Sequence, residues 1–225
     1  MNLNTVAGRP APQVDQSERA WWLRALAVLQ APAPVFVALR DDSQDAAAAR
    51  QEPVTAIAIL AGIAGVLAAP ETGRLMDDAA MDGLTAAVVI FLSGALYGLV
   101  VYWLGGAALQ LAAERLGSRG TYRRSRHLLA YASIPLIASL LVVWPLRLAL
   151  YGRDVFESGG KDSGVGGDIF VGLELAFVAW VAALLVIGVR AVHGWRWGRA
   201  LAASSLTVVL AALLLGLVVL ILRGA

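Results

Sequence analysis

Residues 84–113 read LTAAVVIFLSGALYGLVVYWLGGAALQLAA, without one Asp, Glu, Lys or Arg. A hydrocarbon core about 30 Å thick needs about 20 apolar residues in helix, so this run can cross with residues left for tilt or for the interface. Four more stretches have the same character. Residues 54–69 lie between Pro53 and Pro70, and residues 128–151 contain Pro135 and Pro145. Residues 169–192 and 200–222 complete the set. The alternation of a membrane barrel strand is missing. Helices are the other structure that satisfies its own backbone without water. The sequence therefore predicts an all-α polytopic membrane protein, a five-transmembrane-helix bundle over residues 53–223.

Composition agrees. Of 225 residues, 59% are hydrophobic and 15% charged, and the mean hydropathy is +0.72. Soluble domains are about 45–50% apolar and about 25% charged. A net charge of +2 is too small to make a field for nucleic acid. There is no cysteine, which removes disulfides, thiolate metal sites and cysteine nucleophiles. His127 and His193 are the only histidines, and both fall in predicted cytoplasmic loops or at their edges, so no metal site is expected.

Ahead of the first span the chain divides in two. Residues 1–16 are polar, hold Pro10 and Pro12, and read as a disordered cytoplasmic N-terminus with no cleaved signal. Residues 17–52 read as an amphipathic interfacial segment. Ser17 stands where a cap belongs, and Trp21, Trp22, Ala25, Leu26 and Leu29 follow at helical spacing with Arg24 opposite. This pattern predicts a helix lying in the interface, with Trp21 and Trp22 at headgroup depth. Residues 35–39 could lie on the membrane in the same way.

Basic residues set the orientation. Arg9, Arg19, Arg24, Arg40 and Arg50 precede the first span; Arg115, Arg119, Arg123, Arg124 and Arg126 follow the second; Arg190, Arg196 and Arg199 follow the fourth. The opposite side holds only Arg74, Arg147, Arg153, Lys161 and Arg223. The N-terminus is thus expected in the cytoplasm and the C-terminus outside.

Charges inside spans are costly unless paired or wet, and so mark candidate sites. Arg147 and Glu174 lie at similar depth in the third and fourth spans and are candidates for an intramembrane polar pair. Gly94 and Gly98 form a GxxxG packing face, continued by Tyr102 and Gly106, and Ala61, Gly65 and Ala69 repeat that spacing in the first span. Trp103, Trp144, Trp195 and Trp197 read as interfacial belt residues, and Trp180 as packed in the bundle. Catalytic patterns are missing: no HExxH, no GxSxG, and only a faint phosphate-loop likeness at 157–163, where Asp162 follows the Lys.

The third span and its approach carry a resemblance. HLLAYASIP (127–135) resembles the tyrosine-x-x-x-proline element of the Yip domain family (Ypt/Rab-interacting membrane proteins), through Tyr131 and Pro135. GSRGTYRR (117–124) and the stretch from Trp180 to Gly194 also fit, and the span count matches. Lys161 is the only lysine in a chain rich in arginine and alanine, which points to the bacterial branch. The eukaryotic members' Asp-Leu-Tyr-Gly-Pro element has no counterpart ahead of the first span, so GTPase binding is not carried over. The resemblance implies a non-enzymatic, cofactor-free scaffold or adaptor in the bacterial inner membrane. Its expected partners are anionic lipid headgroups at Arg119, Arg123, Arg124 and Arg126, and a membrane protein or a second copy. The alternative is a small permease or transporter subunit, which would need a water-accessible cavity and a broken helix near the midplane.

Overall fold

The computed structural model describes residues 21–69, 72–73, 82–156 and 164–224. The expected disordered N-terminus, Ser17 and the loop at 157–163 lie outside these residues. Nine α-helices are named in chain order. They are α1 (Trp21–Gln30), α2 (Pro32–Ala38), α3 (Gln44–Leu67), α4 (Gly83–Val100), α5 (Gly106–Arg115), α6 (Tyr122–Ala132), α7 (Ile134–Tyr151), α8 (Val165–His193) and α9 (Trp197–Gly224). One π-helical turn, Val101–Gly105, joins α4 to α5. Five helical runs among the described residues are long and apolar enough to cross a bilayer: Gln44–Leu67, Gly83–Arg115, Tyr122–Tyr151, Val165–His193 and Trp197–Leu217.

Two of these start well over one helical turn ahead of where hydropathy placed them. The first span was expected to begin behind Pro53, but α3 starts at Gln44, capped by the Ser43 hydroxyl, and Pro53 lies inside it. The proline removes one helical hydrogen bond without ending the helix. The third span was expected from residue 128, but α6 starts at Tyr122, where Thr121 caps the Arg124 amide. His127 is thereby moved from a loop edge into a buried helix face, 1% exposed, with Nε2 3.4 Å from Gln51 Oε1 of α3. Hydropathy misses both starts because the charged first turns depress it while the helix continues. The third span also breaks at Ser133, between Tyr131 and Pro135, as the proline's missing N–H requires.

Helices α3 and α4 pack against each other over the longest contact in the bundle. A Cβ on Gly62 would lie 2.3 Å from the Gly94 carbonyl oxygen, and one on Gly98 would lie 2.2 Å from the Ala58 carbonyl oxygen. Gly94 and Gly98 therefore work inside the chain. Their partner stripe is Ala58 and Gly62, not the Ala61–Gly65–Ala69 row, although Gly65 does meet the Tyr97 ring. Next along, α3 packs on α6 and α7, α7 on α8, and α9 on both α8 and α5. Polar side chains join α5 to α6: Ser125 donates to Gln110 Oε1 (2.7 Å), and Gln110 Nε2 donates to the Gly120 carbonyl (2.7 Å).

The outer faces of the spans are apolar. Leu84, Phe91, Leu92, Leu96, Leu141, Ile169, Val208 and Leu213 are exposed, the arrangement hydrocarbon favours. Trp180 belongs to this face rather than to the bundle interior: it is 38% exposed and stacks on Phe177. Trp144 has the opposite fate. It was expected in the belt and is 5% exposed. Helices α1 and α2 lie against the bundle end. Phe36 of α2 is fully buried in the notch left by Gly188 of α8, and Val28 of α1 is also buried, while Leu23, Leu26 and Val37 remain exposed.

Two predictions follow from these contacts. Gly98→Ala must push the α3 backbone aside and is expected to cost about 1–3 kcal/mol, read as a lowered unfolding midpoint in detergent. Gly216→Ala, with open space around it, should leave the midpoint unchanged. The second concerns Asp82, which caps α4 by accepting from the Thr85 amide (2.8 Å) and hydroxyl (3.0 Å). Those bonds hold its carboxyl below the usual range. A lowered folded-state pKa contributes stability above the unfolded value and loses it as pH falls through the folded one. Hydrogen-exchange protection in the first turn of α4 should therefore fall below about pH 4, and Asp82→Asn should abolish that dependence.

Candidate functional site

The N-terminal helices, the α5–α6 loop and the end of α8 meet at one end of the bundle. Arginines on these segments bond to backbone carbonyls that helix ends leave without partners. Arg40 donates through Nε (3.0 Å) and Nη2 (2.5 Å) to the Ala191 carbonyl, in the last turn of α8. Gly194, left-handed at φ 66°, then ends α8. Arg124 donates to the Arg40 carbonyl (2.9 Å). Arg50 is 7% exposed and donates to the carbonyls of Ala38 (3.1 Å) and Asp41 (2.5 Å). The Thr121 hydroxyl donates to Asp42. The Asp41 carboxylate accepts from the Ser43 amide (3.1 Å), which holds its pKa below the usual value. Ser118 Oγ lies 3.2 Å from His193 Nδ1, and the His193 ring stacks on Trp195.

The four arginines expected to touch headgroups divide here. Arg119 and Arg123 are exposed, and Arg124 is half-buried in the latch just described. Arg126 is 8% exposed and faces aromatic rings instead of headgroups. Its guanidinium carbon lies 3.9 Å from the Trp103 ring centre, 4.8 Å from Tyr122 and 5.1 Å from Tyr102. The π turn builds this cage. It places Tyr102 and Trp103 side by side, and the Trp103 carbonyl accepts the Tyr122 hydroxyl (2.7 Å). Gly106 is obligatory beside it, since a Cβ there would lie 2.3 Å from Arg126 Cγ. The backbone of Trp21 and Trp22 starts α1. Tyr131 is 2% exposed, and the charges of Arg24 and Arg50 act on it.

A second candidate lies between the spans. A cavity of about 270 Å³ opens among α3, α4, α6, α7 and α8, walled by Ala61, Gly65, Tyr97 and Ser133, with Ser139 and Glu174 beside it. Ser139 Oγ donates to the Leu136 carbonyl (2.9 Å), and the Ser139 hydroxyl is also in hydrogen-bonding reach of the Glu174 carboxyl. Glu174 Oε1 is buried with no hydrogen-bond partner. Arg147, on the adjacent α7, acts on Glu174 electrostatically and also faces the rings of Trp144 (5.5 Å) and Phe170 (5.9 Å). Among the described residues, no three His, Asp or Glu side chains gather as metal ligands.

The cage makes a measurable claim. A desolvated guanidinium over aromatic faces contributes about 2 kcal/mol. Arg126→Gln should lower the unfolding midpoint clearly, and Arg123→Gln, at an exposed position, should leave it within error.

No curated protein and no solved structure matches the chain. The family model for the Yip1 domain matches residues 26–220, most of the sequence, from inside α1 almost to the end of α9. The basic end, the Tyr131–Pro135 break and all five spans fall within that match. The chain is therefore a multi-pass membrane protein that belongs to the Yip1 domain family.

Proposed function

We propose that this chain is a non-enzymatic scaffold or adaptor of the bacterial inner membrane, organising anionic lipids or partner membrane proteins from its basic, cytoplasmic end. The carrying observation is the gathering of arginines from three separate segments at one end of a Yip1 bundle, with Arg119 and Arg123 exposed there. Near an anionic surface each such residue contributes about 1 kcal/mol of attraction. Arg124 steadies the surface by joining the α5–α6 side to Arg40. The apolar outer faces of α4, α8 and α9 leave room for a partner helix or a second copy. On this reading the N-terminus is cytoplasmic and the C-terminus outside.

The test is purification in native lipid followed by mass spectrometry of what remains bound. Anionic lipid, or one recurring membrane protein, should be enriched with the wild type. Enrichment of the lipid should fall in an Arg119→Gln/Arg123→Gln variant of unchanged topology. Equal enrichment by that variant refutes the headgroup role.

The inter-span cavity favours a second reading, a small permease, since it lies beside the break at Ser133 and contains a carboxyl. Because the chain has no cysteine, single cysteines at Ser133 and Ser139 can be probed cleanly. Protection from a membrane-impermeant thiol reagent supports the scaffold. Labelling from water at both positions would favour the permease.

A further inference from the structure

A smaller cavity of about 230 Å³ lies where α1 and α2 meet α3 and α6, apart from the headgroup arginines and from Glu174. Arg24 of α1, Arg50 of α3 and Tyr131 of α6 line it, and Pro34, Val35 and Leu39 of α2 supply an apolar wall. Two guanidinium groups thus share one hollow and repel each other. Among the described residues no acidic side chain lines it. Asp41 and Asp42 lie close enough to favour the Arg50 charge, which Arg24 opposes, and each is held in place by a neutral donor, Asp41 by the Ser43 amide and Asp42 by the Thr121 hydroxyl. Arg50 is 7% exposed, and its Nε is buried with no hydrogen-bond partner, although both of its terminal nitrogens are satisfied. A buried donor left unmade is costly, and convergent like charge adds to that cost. An anion that reaches Arg50 Nε makes the missing bond and offsets the charge of Arg24.

We infer that this cavity is a binding site for one phosphate group, held by Arg24, Arg50 and the Tyr131 hydroxyl. Guanidinium groups match phosphate oxygens in geometry as well as charge. Arg50 supplies the fixed, preorganised contact, because its other two nitrogens are pinned to the ends of α2 and of the α2–α3 turn. Arg24 is exposed on the interfacial helix and closes over the ligand from the membrane surface. The apolar wall from α2 suits the glycerol and upper acyl carbons of a phospholipid, and would add nothing for free inorganic phosphate. The site rests on membrane placement alone, independent of the scaffold reading.

The experiment uses the full chain in a neutral detergent. Dihexanoylphosphatidylglycerol is titrated and read by native mass spectrometry, with inorganic phosphate as a second arm and dihexanoylphosphatidylcholine as a third. One saturable phosphatidylglycerol per chain is expected. Removing one charge-assisted contact in Arg24→Gln should weaken it about tenfold, and Tyr131→Phe should weaken it less. Arg119→Gln/Arg123→Gln should bind as the wild type does. Arg50→Gln is avoided because Arg50 also holds α2. Phosphate binding without lipid binding would keep the anion site and assign it to the free ion. Absence of saturable binding by either, equal binding of phosphatidylcholine, or undiminished binding in Arg24→Gln overturns the inference. Loss of lipid enrichment in the Arg119/Arg123 variant with this site intact would separate the two functions.

Discussion

The backbone contact between α3 and α4 is the constraint on which the rest of the bundle depends. At Gly62, Gly94 and Gly98 the two helices touch main chain to main chain, with no space for a methyl group, and the Ala58 carbonyl meets Gly98. In hydrocarbon there is no hydrophobic drive to bring helices together, so close packing of small residues must supply it. Ile63 and Tyr97 flank this seam, and most larger apolar side chains are turned elsewhere. Some fill the core around Leu109, Leu128 and Tyr131, and others, such as Phe91 and Leu96, face lipid. The same economy recurs further along the second span, where Gly105 and Gly106 admit Leu129 and Arg126.

Glycine placement and charge placement are coupled at that point. Arg126 can be buried only because Gly106 leaves space for its stem and the π turn offers two aromatic faces for its charge. A π turn breaks the regular hydrogen-bond ladder, and the Trp103 carbonyl there accepts the Tyr122 hydroxyl as well as the Gly106 amide. A charge, a helical irregularity and a loop-proximal tyrosine are thus one unit. It ties the second span to the third, as Phe36 in the Gly188 notch ties α2 to the fourth.

Length and polarity made the five spans legible, because a bilayer imposes them on any chain. The Gly94–Gly98 face was legible for the same reason: its spacing is a one-dimensional signal. The true starts of α3 and α6 were not, since Arg50, Arg123, Arg124 and Arg126 lower local hydropathy inside continuous helix. Trp144 and Trp180 exchanged their expected places because depth in a span says nothing about which way a helix faces. The partner stripe in α3 was not legible for a related reason. Ala and Gly are so frequent there that several rows fit the spacing, and only three dimensions choose Ala58 and Gly62.

A count of arginines treats them all alike, yet the fold gives them different work. Arg40 and Arg50 hold helix-end carbonyls, and Arg126 sits in its aromatic cage. Arg119 and Arg123 stay at the surface, where an anionic leaflet can reach them. Arg50 and Arg126 lie within helices long and apolar enough to cross a bilayer, so their charges are tolerated only because carbonyls and aromatic rings meet them. The basic end is thus cross-linked as well as basic. Arg40, Arg50 and Arg124 are held by backbone carbonyls from segments far apart in sequence, with Arg40 reaching Ala191 and Arg124 reaching Arg40.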